Sequence, residues 1–172
     1  MKKLVFVTLA VISFSITAYA QGQGLTLVGG SYGISPGNNG STQLIALEYS
    51  KFLRNKWLLN VTGLYEFGAI QSTKVNNYLL NGGIEYSTFQ VRNLVFFNAG
   101  LSVLAGGETL KSSISSEKKN SFVGGFSGNV NIRIHLFEGV ALQFKAEQNY
   151  LPSSMLGKWY PSFYIGFKYL IF

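Results

Sequence analysis

Residues 122–136 read Phe-Val-Gly-Gly-Phe-Ser-Gly-Asn-Val-Asn-Ile-Arg-Ile-His-Leu. Taken at a period of two, Phe122, Gly124, Phe126, Gly128, Val130, Ile132, Ile134 and Leu136 share one face. Val123, Gly125, Ser127, Asn129, Asn131, Arg133 and His135 share the other. Successive side chains of a strand point to opposite sides of its pleat, so this is a strand whose two faces meet different surroundings. The next segment repeats the pattern, with Val140, Leu142, Phe144 and Ala146 set against Ala141, Gln143, Lys145 and Glu147. Outward from these two, the same rule holds over about 42–53, 57–69, 79–89, 94–106 and 162–172. An eighth segment, about 24–34, is Gly-rich and its facing is not readable.

The links between these segments alternate in length. Short ones follow strands two, four and six: Arg54-Asn55-Lys56, Val91-Arg92-Asn93 and Glu138-Gly139. Longer ones, 35–41, 71–76, 107–120 and 152–161, follow strands one, three, five and seven. An even number of strands of about ten residues, joined in this way, is the pattern of an outer-membrane barrel with turns on the periplasmic side and loops outside. The expected fold is therefore all-β: an eight-stranded antiparallel up-and-down transmembrane β-barrel in the bacterial outer membrane, both termini periplasmic.

Alternation alone does not say which face is inside. A lipocalin-like soluble barrel is also eight-stranded, but it hides its apolar face and needs a charged outer one. Hydrophobic residues are 47% of the chain and charged residues only 12%, against roughly 25–35% charged residues on an ordinary soluble surface. The polar faces carry Glu48, Glu66, Glu85, Arg133, Lys145, Glu147 and Lys168 among Gly, Ser, Asn, Thr and Gln. The opposite faces are nearly continuous Leu, Ile, Val, Phe and Tyr, as hydrocarbon requires. These seven charges are expected to line a narrow lumen, several at one height, as a structural charge network. The other use of such a layer is a proton or ion path. Aromatics gather at strand ends, with Phe52, Trp57, Phe89 and Phe137 by the turns. Tyr78, Phe122, Tyr150, Trp159 and Tyr160 lie towards the loops. Two interfacial girdles are expected from this placement.

Residues 1–20, MKKLVFVTLAVISFSITAYA, combine Lys2 and Lys3, an apolar run from Leu4 to Ile16, and Ala18-Tyr19-Ala20. That is the form of a cleaved signal peptide, too short in its apolar run for a membrane anchor. Residues 21–172 are then the barrel.

Little in the chain points to catalysis. There is no Cys, which excludes a disulfide scaffold and a Cys-built zinc site. His135 is the single histidine, which excludes a multi-His metal site; its inward face gives it a structural role. Ser112, Ser113, Ser115 and Ser116 have no partner histidine nearby in the sequence. No phosphate-binding loop, nucleophile elbow, zinc-protease or EF-hand pattern is present. The pairs Gly29-Gly30, Gly82-Gly83 and Gly124-Gly125 fall within strands, where glycine marks a bend or a close approach. No enzyme activity, catalytic residue, cofactor or metal is expected. The 107–120 loop holds Lys111, Lys118 and Lys119 against Glu108 and Glu117. It could contact lipopolysaccharide phosphate, DNA or a partner protein, or simply be a solvated loop.

Ala-Gly-Leu-Ser-Val-Leu-Ala-Gly-Gly-Glu-Thr-Leu at 99–110 and the closing Gly-Phe-Lys-Tyr-Leu-Ile-Phe at 166–172 resemble a known family. With segments 131–143 and 79–84, they make the chain similar to the TraO family of conjugative-transposon proteins of Bacteroides-type bacteria. The resemblance covers most of residues 21–172, best from about 79 onward. It implies a non-enzymatic outer-membrane component of a conjugative DNA-transfer apparatus, working through protein partners. Its surroundings would be outer-membrane lipid and other conjugation or envelope proteins, with no direct contact to nucleic acid. Two other functions suit such a barrel: adhesion or envelope integrity, as in small barrels of the OmpX or OmpA type, and lipid modification.

Overall fold

The computed structural model describes residues 25–37, 40–54, 56–70, 73–92, 94–112, 118–137 and 139–171. The segment read as a signal peptide lies outside them. Eight strands follow one another: β1 (Thr26–Gly37), β2 (Gly40–Arg54), β3 (Trp57–Ile70), β4 (Thr73–Val91), β5 (Val95–Ser112), β6 (Lys118–Phe137), β7 (Val140–Tyr150) and β8 (Trp159–Ile171). Each pairs antiparallel with the next, and β1 pairs with β8 from Thr26↔Ile171 to Ile34↔Phe163, which closes the barrel. Closure leaves no unpaired strand edge.

Register is pinned at the end that holds the termini. The ladders slip at Phe52/Arg54, Ser87/Phe89 and His135/Phe137. Each slip lies beside one of the three short turns, and bulges of this kind collect at barrel rims. At the opposite end the strands outrun the expected segments. β4 begins at Thr73, β5 continues to Ser112 and β6 begins at Lys118. The strands thus take up most of the expected loops 35–41, 71–76 and 107–120, whereas 151–158 stays a long link. Polar sequence reads as loop, but here the same residues hold the ladder together. Tyr65 Oη donates to Asn76 Oδ1 at 2.9 Å, and Thr109 Oγ1 donates to Asn120 Oδ1 at 3.0 Å. Polarity in these stretches marks sheet that stands in water.

The wall is inverted relative to a soluble barrel. Leu47, Leu101 and Phe122 are each more than 70% exposed, while Arg133, Lys168, Glu85 and Glu48 are buried inside. In β1, Val28, Tyr32 and Ile34 face out; Leu27, Ser31, Ser35, Gly29 and Gly33 face in. The facing of this strand was unreadable because its inward positions are largely emptied of side chains. A Cβ on Gly33 would lie 2.6 Å from the Tyr164 ring, and one on Gly29 would lie 2.8 Å from Lys168 Cγ.

The inward face is also less uniformly polar than expected. Leu27, Phe52 and Leu58, with Leu25 and Leu170, form an apolar plug at the terminus end. Leu79, Leu104, Val123 and Leu151, with Leu64 and Tyr160, form another at the far end. Phe52 and Tyr160, expected in the outer girdles, therefore belong to the plugs. Their parity decides it, because Phe52 alternates in step with Glu48, and Tyr160 with Lys168. The polar layer is sealed between two dry ones.

Candidate functional site

Inside the barrel, the seven sequence-predicted charges fall into distinct groups. Glu48 on β2 and Lys168 on β8 both stand opposite Gly29 of β1. With no side chain between them, Lys168 Nζ reaches Glu48 Oε2 at 2.9 Å. Glu48 also accepts from Ser31 Oγ at 2.8 Å and from Gln143 Nε2 at 3.0 Å. Lys168 donates to Ser50 Oγ, Ser50 Oγ to Asn60 Oδ1, and Asn60 Nδ2 to Glu85 Oε1. On its other side Glu85 accepts from Asn131 Nδ2 at 2.8 Å, and Asn98 Nδ2 donates to Asn131 Oδ1. One hydrogen-bonded chain thus crosses the lumen from Glu48 to Asn98. Glu85 finds its room as Glu48 does, beside a glycine: a Cβ on Gly100 would meet Glu85 Cγ at 2.6 Å.

Lys145 and Glu147 are two apart on β7 and so share a face; Nζ and Oε2 lie 2.6 Å apart. Asn81 Nδ2 adds 2.9 Å to Glu147 Oε1, and Lys145 Nζ stands 5.3 Å from the centre of the Tyr164 ring. Arg133 departs from the expected pairing. Its guanidinium is fully buried, and none of its three nitrogens has a hydrogen-bond partner among the described residues. The space among Asn60, Asn81, Glu85, Asn129 and Lys145 is too small for a water molecule.

Nearer the far end, Glu66 has, among the described residues, neutral donors only: Thr42 Oγ1 and Asn77 Nδ2. A further carboxylate, Glu108, falls in the expected 107–120 loop but stands on a strand. It is buried on β5 and accepts from Ser154 Oγ at 3.0 Å and Met155 N at 2.7 Å. It therefore ties the 151–158 segment across the barrel mouth, and Leu151 packs beneath. The available signal is parity: Glu108 continues the inward set of Phe96, Asn98, Ser102 and Leu104 on β5.

His135 sits against the Phe96 ring, centroids 5.0 Å apart, and its Nε2 is buried without a hydrogen-bond partner. Of the serines, Ser112 ends β5, and Ser113, Ser115 and Ser116 lie outside the described residues.

The three lysines assigned to the external loop occupy strand ends instead. Lys111 stands opposite Lys118, and Leu110 opposite Lys119. Lys111 also stands opposite Lys74 of β4. Aromatic pairs mark both rims, with Trp57 and Tyr86 4.9 Å apart at one end. Tyr65 and Tyr78 at 4.8 Å, and Tyr150 and Trp159 at 4.5 Å, mark the other.

Solved structures share this fold. Ail, the attachment invasion locus protein of Yersinia pestis, is 12% identical with a TM-score of 0.62, over 87% of this chain and 100% of its own. Neisserial surface protein A gives 10% identity and a TM-score of 0.65, over 84% and 95%. The N-terminal β-barrel domain of Pseudomonas aeruginosa OprF gives 11% and 0.64, over 87% and 100%. At these identities the likeness is one of fold. No curated protein matches the chain. One family model does, described as a conjugative transposon protein, TraO, and it spans residues 19–171.

Proposed function

Because the chain belongs to the TraO family of conjugative transposon proteins, we propose that it is a non-enzymatic outer-membrane barrel serving a conjugative DNA-transfer apparatus through protein partners. The observation that carries the membrane part is the inverted wall. Leu47, Leu101 and Phe126 are exposed on the outside, while Arg133, Lys145 and Lys168 are buried within. Water disfavours such a surface, and hydrocarbon, which cannot solvate charge, favours it. The far ends of β1, β3, β5 and β7, with the 151–158 segment, would face the cell exterior, with both termini in the periplasm.

DNA does not pass through this barrel. An eight-stranded barrel is just wide enough for its own side chains, and here two apolar plugs close the ends. Its contribution is then that of a docking or anchoring part. No residue is assigned a catalytic role, and none is assigned to a cofactor or metal.

Clean deletion in a donor strain should lower transfer frequency and complementation should restore it, with the protein recovered in the outer-membrane fraction. Undiminished transfer would refute the conjugation role, and a simultaneous loss of adhesion would reassign the barrel to the envelope. A changed lipid A profile would instead point to a lipid-modifying enzyme.

A further inference from the structure

The register at the far end places three lysines side by side. Lys74 of β4, Lys111 of β5 and Lys118 of β6 stand directly opposite one another, and all three are exposed. Residues directly opposite share a face. Parity makes it the outer one, since Lys74 alternates with Tyr78 and Leu80, and Lys118 with Phe122 and Phe126. Neighbouring strands lie about 4.8 Å apart, so the row is about 10 Å wide at the backbone. Like charges directly opposite on a sheet destabilise it. Among the described residues neither ion pair of the barrel reaches this row. The nearest carboxylate along β5, Glu108, points inward and is held by the 151–158 segment.

The rows beneath specify what would relieve the repulsion. Asn76, Thr109 and Asn120 form the next outward row. Asn76 and Asn120 both accept through Oδ1, from Tyr65 and Thr109, which leaves each Nδ2 to donate. Below them Tyr78 and Phe122 open the apolar wall. From the wall upward the order is hydrocarbon-facing aromatic, amide donor, ammonium. That is the order in which a lipid presents acyl chain, glycerol or sugar, and phosphate.

We infer that Lys74, Lys111 and Lys118 form a site for the phosphate groups of a phosphorylated membrane lipid at the barrel's outer surface. The inference rests on the membrane-spanning reading above. It excludes Lys119, whose inward parity sets it apart from the row. It also favours lipid over nucleic acid, because the row stands on the wall beside the aromatic belt and not over the mouth.

The test uses the folded full chain in detergent, with native mass spectrometry reading uptake of diphosphoryl lipid A. The wild type should take it up saturably, and the triple variant K74Q/K111Q/K118Q should bind it roughly tenfold or more weakly. A glycolipid of the same acyl content without phosphate should bind the wild type no better than lipid A binds the variant. Thermal unfolding gives a second readout. Lipid A should raise the wild-type midpoint, while the variant, relieved of repulsion, should begin as high or higher and stay unmoved. Equal uptake by the variant, equal uptake of the phosphate-free lipid, or displacement of lipid A by an oligothymidylate would overturn the inference. Insertion is read separately, by heat-modifiable gel mobility after reconstitution. A chain that stays out of bilayers overturns both readings, whereas an inserted one that ignores the phosphates overturns this one alone.

Discussion

Glu48 and Glu66 are both buried carboxylates on neighbouring strands, yet the barrel treats them differently. Glu48 faces Lys168 across Gly29 and takes two further donors, Ser31 and Gln143. Glu66 takes Thr42 and Asn77 and, among the described residues, no cation. The first belongs to a hydrogen-bonded chain running across the lumen; the second sits beside the sealed mouth. A buried ion can be held by an opposite charge or by neutral dipoles, and the two solutions fail in different ways. Where a cation is the partner, removing either member strands the other. Where only hydroxyl and amide groups serve, a neutral isostere can step in.

The largest effect should come from stranding Glu48. Lys168→Met leaves its carboxylate inside the wall without its ion-pair partner, a change that costs about 3–5 kcal/mol when one partner of a buried pair is removed. The folded, fast-migrating form should be lost at markedly lower temperature or urea concentration. Adding Glu48→Met to the same chain should recover most of that loss, since replacing a whole buried pair by apolar groups is often close to neutral. A double variant no more stable than the single one would show that the pair does not act as a unit.

Filling the inward gap that the Tyr164 ring occupies should cost somewhat less. Gly33→Leu puts carbon where a Cβ alone would be 2.4 Å from the Phe163 carbonyl oxygen and 2.6 Å from the Tyr164 ring. Overpacking of this kind costs about 1–3 kcal/mol. Gly63→Leu, at an outward position with open space around it, is the control and should leave stability nearly unchanged. Equal losses from both would mean that strand propensity, and not lumen space, decides.

Much of this was legible in the sequence, and the limits have physical causes. Alternation in seven segments, with links alternating in length, makes the strand count, the barrel and the facing of seven strands readable. Period two is a local property, and it survives whatever the strand packs against. Partner choice is not local. That Lys168 meets Glu48 follows from both standing opposite Gly29, a register set by barrel closure. The glycines were visible, but which one faces Lys168 was not. The polar ends of β4, β5 and β6 were read as loop because polarity signals water, and both loop and extended hairpin can meet water. That reading also hid Glu108 and split the Lys74 row between two links.

A smaller, more local effect is expected at Glu108. Glu108→Ala removes the acceptor for Ser154 Oγ and Met155 N, but both donors lie on the covering segment, which meets water, and can turn to it. Global stability should change by about 1 kcal/mol or less. The 151–158 segment should be cleaved faster by trypsin at Lys158 while the barrel persists. Unchanged cleavage would show that Leu151, buried in the apolar plug, holds the segment alone.

The smallest effect should come from Glu66→Gln, which puts the opening comparison to its most direct test. A glutamine at 66 keeps one oxygen for Asn77 Nδ2 and offers its amide to Thr42. The threonine hydroxyl both donates and accepts, so it can reverse its role and leave no buried group orphaned. No cation loses a partner, and a buried charge disappears. Stability should therefore stay within about 1 kcal/mol of the wild type, as for an exchange between neutral hydrogen bonds. Glu48→Gln makes the same chemical change, but even with its oxygen turned to Lys168 Nζ it brings no charge, and the ammonium is left buried without its counter-ion. That variant should lose about 3–5 kcal/mol, like Lys168→Met. Chemical denaturation of the two glutamine variants side by side measures the difference. If they fall equally, the buried carboxylates are held by their neutral donors everywhere in the lumen, and Lys168 contributes packing rather than charge.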